Sequence, residues 1–130
     1  MRRIDRMVKA AVAALEDIKA RDIVVLDVTP MTSLFDRMIV ATADSARQTK
    51  ALAGKVQEHL KALGYRTYGS EGEQTGEWVL VDLGDILVHI MQPAVRQYYN
   101  LEELWSPPKS RRAASSRSGA ERPAKARAGA

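Results

Sequence analysis

The spacing of apolar positions changes several times along the chain, and each change marks an element. Ile4, Met7, Val8, Ala11, Val12, Leu15 and Ile18 recur at intervals of three and four. That spacing predicts an amphipathic helix over about residues 4–19. DIVVLDV, 22–28, is a short apolar run rich in β-branched residues, which predicts a strand buried on both faces. Thr29-Pro30 breaks it, MTSLFD connects, and MIVATA, 38–43, predicts a second strand. Ser45 is placed to cap a helix, with Gln48 at the capping-box spacing. Thr49, Leu52, Ala53, Val56, Leu60 and Leu63 form its expected buried stripe, and Gly64 ends it. YRTYG, 65–69, alternates and predicts a third strand. AVRQYYN, 94–100, predicts a helix, with Asn100 and Glu103 spaced to cap one further turn, LEELW.

The stretch GEWVLVDLGDILVHIMQP, 76–93, predicts a hairpin supplying strands four and five. With Leu83-Gly84 as the two-residue turn, Val81 faces Ile86, Leu80 faces Leu87 and Trp78 faces His89. Alternation gathers Val79, Val81, Ile86, Val88 and Ile90 on one side, which belongs under a helix. The other side carries Trp78, Leu80, Asp82, Asp85, Leu87, His89 and Met91. It is too apolar for an ordinary wet surface and too polar for a dry core. Aromatic, Met and a few polar groups together compose a protein–protein interface. The competing reading places this face under the chain's own terminal helix, with Tyr98, Tyr99 or Trp105 on top. The order of elements predicts an α/β chain with one five-stranded sheet flanked by helices. The β–α–β unit around 38–69 is expected to cross over right-handed if its strands are parallel neighbours.

Charge divides the chain in two. The net charge is +4, yet residues 106–130 hold seven Lys or Arg and one Glu, a balance of +6. Residues 1–105 therefore carry −2, and the basic character belongs to a tail. This tail has no large apolar residue apart from alanines and prolines, so it is expected to be disordered. The favoured reading of the tail is a solvated extension that aids solubility; the alternative is a weak, salt-dependent and sequence-blind contact with RNA phosphate. The expected division is one domain over 1–105 and a basic tail over 106–130. The N-terminus has basic residues before an apolar stretch, but Asp5, Lys9, Glu16 and Asp17 punctuate it. It reads as a helix of the fold and not a signal peptide. No apolar run approaches membrane-spanning length, so no membrane partner is expected.

Candidate chemistry is sparse. With no Cys there is no disulfide framework and no thiolate ligand set, which fits a cytoplasmic protein. His59 and His89 lie on different elements without ligand spacing, so no metal or cofactor is expected. Neither a nucleophile elbow nor a phosphate-binding glycine loop occurs; Ala53-Gly54-Lys55 lies within a helix. The enzyme alternative is metal-dependent nucleotidyl transfer, with Asp27, Asp36 and Asp82 at strand ends holding two Mg²⁺ ions. Such a site usually has two acids at alternate positions of one strand after a Gly-Ser turn, and VLDVT, 25–29, has one Asp and no such turn.

LDV at 26–28, D-x-M-I-V-A-T at 36–42, S-x-R at 45–47, E-G at 71–72, W-x-x-x-D-x-G-D-x-x-x-H at 78–89 and R-x-Y-Y-x-L-E-x-L-W at 96–105 resemble the ribosomal silencing factor family, also called iojap-related. The resemblance covers about residues 4–105. It implies a mixed sheet, distantly like nucleotidyltransferases but without their catalytic acids, and no enzymatic activity. It implies a translational repressor that binds the large ribosomal subunit through its fourteenth ribosomal protein and blocks joining of the small subunit. It also implies a homodimer off the ribosome. The mixed hairpin face then becomes the expected docking surface. Trp78 is the expected anchor, Leu80, Leu87 and Met91 apolar contacts, and Asp82 and His89 polar contacts. Glu71 would meet basic residues on the partner, with Tyr99 alongside.

Overall fold

The computed structural model describes residues 2–106. The basic tail expected over 106–130 lies outside the described residues apart from Ser106. The elements run α1 (Arg3–Asp17), β1 (Arg21–Asp27), β2 (Arg37–Thr42), α2 (Ala46–Ala62), β3 (Ser70–Glu71), β4 (Trp78–Asp82), β5 (Ile86–Met91), α3 (Pro93–Tyr99) and α4 (Leu101–Leu104). The strands form one sheet in the order β1-β2-β5-β4-β3. Only β2 and β5 pair in parallel; β1 with β2, β5 with β4 and β4 with β3 are antiparallel. The chain is thus an α/β fold with a single mixed five-stranded sheet.

α1 and α2 cover one face. Met7, Ala11, Ala14 and Leu15 of α1 and Leu52, Ala53, Val56 and Leu60 of α2 pack on Ile39, Ala41, Val79, Val81, Ile86, Val88 and Ile90. Both helices end with a residue in the left-handed region and the paired backbone bonds of a Schellman turn. For α2, Gly64 has φ +91°, Tyr65 N–H donates to Leu60 O and Gly64 N–H to Lys61 O. In α1 Lys19 takes the glycine position, with Ala20 N–H on Leu15 O. At the start of α2, Ser45 Oγ accepts from Gln48 N–H at 3.1 Å. The Gln48 side chain reaches back to Asp44 N–H at 2.7 Å and also donates to the Ile18 carbonyl at 3.0 Å. One glutamine therefore closes the α2 cap and ties it to the end of α1.

Several expectations are corrected. β1 is an edge strand with only β2 beside it, and Val25 is 42% exposed, so its apolar run is not buried on both faces. A β-branched run reports strand propensity but not position in the sheet. Residues 65–69 are not a strand; pairing there is confined to Ser70–Glu71, preceded by the Tyr68 and Gly69 backbone bonds to Asp82. Gly69 at φ +105° interrupts the extended backbone. β2 and β3 are separated by β5 and β4, so they are not neighbours around α2. Leu63 is 54% exposed and lies outside the α2 stripe. Asn100 has φ +47° and makes no side-chain cap; it joins α3 to α4 by a left-handed turn.

The hairpin register also differs. Leu83 N–H donates to Ile86 O, so Gly84-Asp85 is the turn, and Trp78 faces Met91, Leu80 faces His89 and Asp82 faces Leu87. Gly84 supplies the positive φ, +86°, that a tight hairpin turn requires at its first position. Leu83, 2% exposed, is thereby drawn into the core instead of sitting at the tip. The slip is of two residues, so the side chains of β4 and β5 keep their faces while their neighbours change; Asp85, expected on the mixed face, moves into the turn and pairs with Arg3 of α1 at 3.3 Å.

Candidate functional site

The register lays out the second face of the sheet in rows. One row runs Leu26, Met38, Leu87, Asp82; the next runs Val24, Val40, His89, Leu80, Glu71; a third holds Thr42, Met91 and Trp78. Acidic and half-buried positions gather toward β4 and β3, and apolar positions toward β1 and β2. The apolar side is covered by the chain itself. Val28, Met38, Val40, Met91 and Leu101 form a second buried cluster, with Phe35, Val95, Tyr99, Leu104 and Trp105 packed against it. Phe35 and Trp105 meet at 5.5 Å between ring centroids.

Arg96 fastens this cover. Its side chain is 11% exposed, and its guanidinium donates to Glu102 Oε2 at 2.8 Å, to Thr42 Oγ1 at 2.8 Å and to the Asp22 carbonyl at 2.5 Å. One planar fork thus joins α3 to α4 and both to the β1–β2 edge.

Trp78 stands at the border of the cover. Its indole N–H donates to Nδ1 of His89 at 2.9 Å, and its ring tilts against Tyr99 at 4.8 Å. Tyr98, 60% exposed, meets Tyr99 edge-on at 5.0 Å. His89 is 8% exposed, and burial lowers its pKa from 6.5 to about 4. The accepting Nδ1 carries no proton, which leaves the ring neutral with its N–H on Nε2. His89 is accordingly a neutral structural partner of Trp78.

Beyond Trp78 the face is not covered in the same way. Leu80 and Leu87 are half-buried and belong to neither apolar cluster. Leu80, Asp82 and Glu71 line a shallow depression with Tyr68, Gly69 and Ser70. Asp82 accepts from Gly84 N–H at 2.8 Å, which holds its carboxylate against the hairpin turn. The acidic loop 70–77 is held from the helix side: Thr49 Oγ1 and Gln92 Nε2 donate to the Gly76 carbonyl at 2.7 and 3.0 Å. Ser70 and Glu73 bond within it.

The fold therefore brings together Glu71, Trp78, Leu80, Asp82, Leu87, His89 and Tyr99. Met91 is different. It is fully buried under the α3–α4 cover, so it supports Trp78 from the strand opposite and is not a surface contact. Tyr68, 57% exposed, borders the depression and was missed in the sequence, where it reads as one position of a strand. The three acids weighed for metal binding are spread across the sheet. Asp27 is held by Thr29 and Arg37, and the Thr29 hydroxyl keeps its carboxyl below the usual range. Among the described residues no three His, Asp or Glu side chains group to hold a metal ion.

Residues 2–130 match the family described as ribosomal silencing factor during starvation. The chain belongs to this family. A ribosomal silencing factor from Chromobacterium violaceum is 60% identical over 102 residues, covering 78% of this chain and 84% of that one. One from Bacillus subtilis is 36% identical over 99 residues, covering 76% and 84%. A mouse protein named for mitochondrial assembly of the ribosomal large subunit is 33% identical over 98 residues, which span 43% of its length. A crystal structure of a Chromobacterium violaceum protein superposes with TM-score 0.78 at 59% identity, covering 80% of this chain and 87% of that one. One from Bacillus halodurans gives 0.71 at 32%, covering 78% and 95%. Membership of the ribosomal silencing factor family supports a ribosome-directed regulatory role, and the relatives' names describe regulation or assembly and no enzymatic reaction. No helix among the described residues is long and apolar enough to cross a membrane.

Proposed function

We propose that this chain is a non-enzymatic translational repressor. It binds the large ribosomal subunit through the fourteenth ribosomal protein and blocks joining of the small subunit in the cytoplasm. The observation that carries this reading is the half-covered patch formed by Trp78, Leu80, Leu87, Asp82 and Glu71 beside an exposed acidic loop. A patch with an aromatic border, apolar centre and acidic rim is complementary to a basic protein. Tyr99 backs Trp78, and His89 fixes its indole. No catalysis is needed: repression follows from two bodies competing for one space, so it scales with affinity and concentration.

The test is sedimentation of the full chain with purified large and small subunits separately. The expected result is co-sedimentation with the large subunit alone, weakened by about 2 kcal/mol or more in Trp78→Ala. Because Trp78 also packs on Tyr99, Leu80→Glu serves as the second variant. Equal binding by both variants, with the fold intact, would place the contact elsewhere.

Self-association across the same patch would shelter its apolar centre when the protein is free. The homodimer and the ribosome-bound form would then exclude one another. Leu80→Glu is expected to yield monomer in analytical ultracentrifugation, and an unaltered dimer would separate the two contacts.

A further inference from the structure

The carboxylates of this domain are unevenly matched by cations. Most acidic side chains away from the mixed face have a basic partner: Asp5, Asp17, Asp27, Asp44, Asp85 and Glu102 each lie within 4.0 Å of an Arg or Lys. Along one rim of the mixed face this stops. Glu71, Glu73 and Glu77 on the loop 70–77 and Asp82 at the end of β4 have no cation within 4.0 Å among the described residues. Glu73 accepts from the Ser70 hydroxyl and Asp82 from the Gly84 N–H, so their charge is hydrogen-bonded but not neutralised. Glu71 and Glu77 are exposed. Arg66, close to the depression, lies over the Tyr68 ring, 5.2 Å from its centroid, and not on a carboxylate.

The same chain carries the complementary charge. Residues 107–130 hold seven Lys or Arg and one Glu. The described residues end at Ser106, just after Leu104 and Trp105 have packed on the second cluster beside Phe35. The basic segment therefore starts on the side of the sheet that bears the rim. From β2 to β3 is three strand spacings, about 14 Å at the usual separation. A coil of about 24 residues spans about 25–30 Å between its ends, so the rim is within reach.

We propose that the basic segment 107–130 docks in cis on the rim formed by Glu71, Glu73, Glu77 and Asp82, and there competes with the basic partner for the mixed face. The contact is electrostatic. The segment has no large apolar residue to seat on Leu80 or Leu87, so several cations exchange over several carboxylates. Tethering gives an effective concentration on the order of millimolar, which lets individually weak ion pairs hold. A rim covered for about 80–90% of the time lowers affinity for a basic partner about five- to tenfold, because only the uncovered fraction binds. The competition rests on the docking reading above; the cis contact does not.

The chain has no cysteine, so Ser118→Cys takes a single nitroxide within the segment. In the full-length, isotope-labelled protein at low salt, amides of 71, 73, 77 and 82 should lose about half their intensity or more, as a contact populated most of the time requires. Amides of Arg6 and Lys9, on the opposite side of the sheet, should keep theirs. The loss should disappear at about 0.5 M salt, where exposed charges are screened within a few ångströms. It should also shrink when Glu71→Gln and Glu77→Gln are combined. Uniform broadening overturns the proposal. Equal broadening with nitroxide and isotope on separate chains gives the rim to a second copy, and overturns it too. Affinity for purified large subunits is then compared with that of a full-length chain in which all seven Lys and Arg of 107–130 are Gln. The neutralised chain is expected to bind about five- to tenfold more tightly. Equal or weaker binding overturns the competition. No binding by either chain counts against the docking reading, and the nitroxide result then decides the cis contact by itself.

Discussion

Trp78 and His89 are joined across a diagonal of the β4–β5 hairpin, indole N–H to imidazole Nδ1, at 2.9 Å. The bond needs a neutral histidine, and the near-complete burial of His89 keeps it neutral. The same bond sets the indole plane at the border of the half-covered patch. Hairpin stability and patch geometry are thus linked through one proton.

The sign of the pH dependence follows. The unfolded chain takes a proton on His89 near pH 6.5, whereas the folded chain resists until about pH 4. Between those values the unfolded state holds more protons, so this contribution is complete above pH 6.5, falls as pH drops toward 4, and then levels off. The loss amounts to about 3 kcal/mol. Urea unfolding at a series of pH values should show it, and His89→Phe should flatten this part of the curve. An unchanged slope in that variant would assign the effect to other groups.

Two glycines should respond oppositely to alanine. Gly54 lies inside α2 with open space around it, so Gly54→Ala should stabilise by about 0.5–1 kcal/mol. Gly72 has φ +97°, and a Cβ there would fall on the Trp78 carbonyl. Gly72→Ala should destabilise by about 1–3 kcal/mol and displace the acidic loop from β4. Chemical denaturation of the two variants side by side is the check.

Arg96→Met should cost about 3 kcal/mol, because it strips the half-buried Glu102 of its cation and leaves the part-buried Thr42 hydroxyl without its donor. The loss should be local first. In hydrogen exchange, amides of 93–105 should lose protection while β2 and β5 retain theirs. Uniform loss across the sheet would mean that the α3–α4 cover does not open separately.

Leu80→Glu should separate docking from folding. Leu80 is half-buried, belongs to neither core cluster and lies beside Glu71 and Asp82. Its replacement should change the denaturation midpoint little while lowering large-subunit binding. A large fall in the midpoint would instead make Leu80 part of the core.

Periodicity in the chain was enough to locate α1, α2, β2, β4 and β5, because each buries a stripe or face whose period is visible in one dimension. The alternation of 78–91 assigned the side chains of β4 and β5 to their correct faces even with the register two residues out, since an even slip preserves faces; Asp85, expected on the mixed face, lies in the turn and pairs with Arg3 of α1. The caps of α2 were also legible: Ser45, Gln48 and Gly64 act within one turn of themselves. Local readings failed where an outcome depends on neighbours distant in sequence. Residues 65–69 alternate like a strand, yet they find backbone partners on β4 only from Tyr68 onward. The apolar run of β1 is the run of an interior strand, placed at an edge.

The amino-acid order by itself determined most of the elements, the two-faced character of the hairpin and the family, because side-chain period and motif spacing are properties of neighbours along the chain. Tertiary structure alone decided that α3 and α4 bury Met91 but stop at Trp78, and that His89 is neutral. These depend on which segments share space. Desolvation and field strength are set by everything within a few ångströms of a group, including residues far away along the chain.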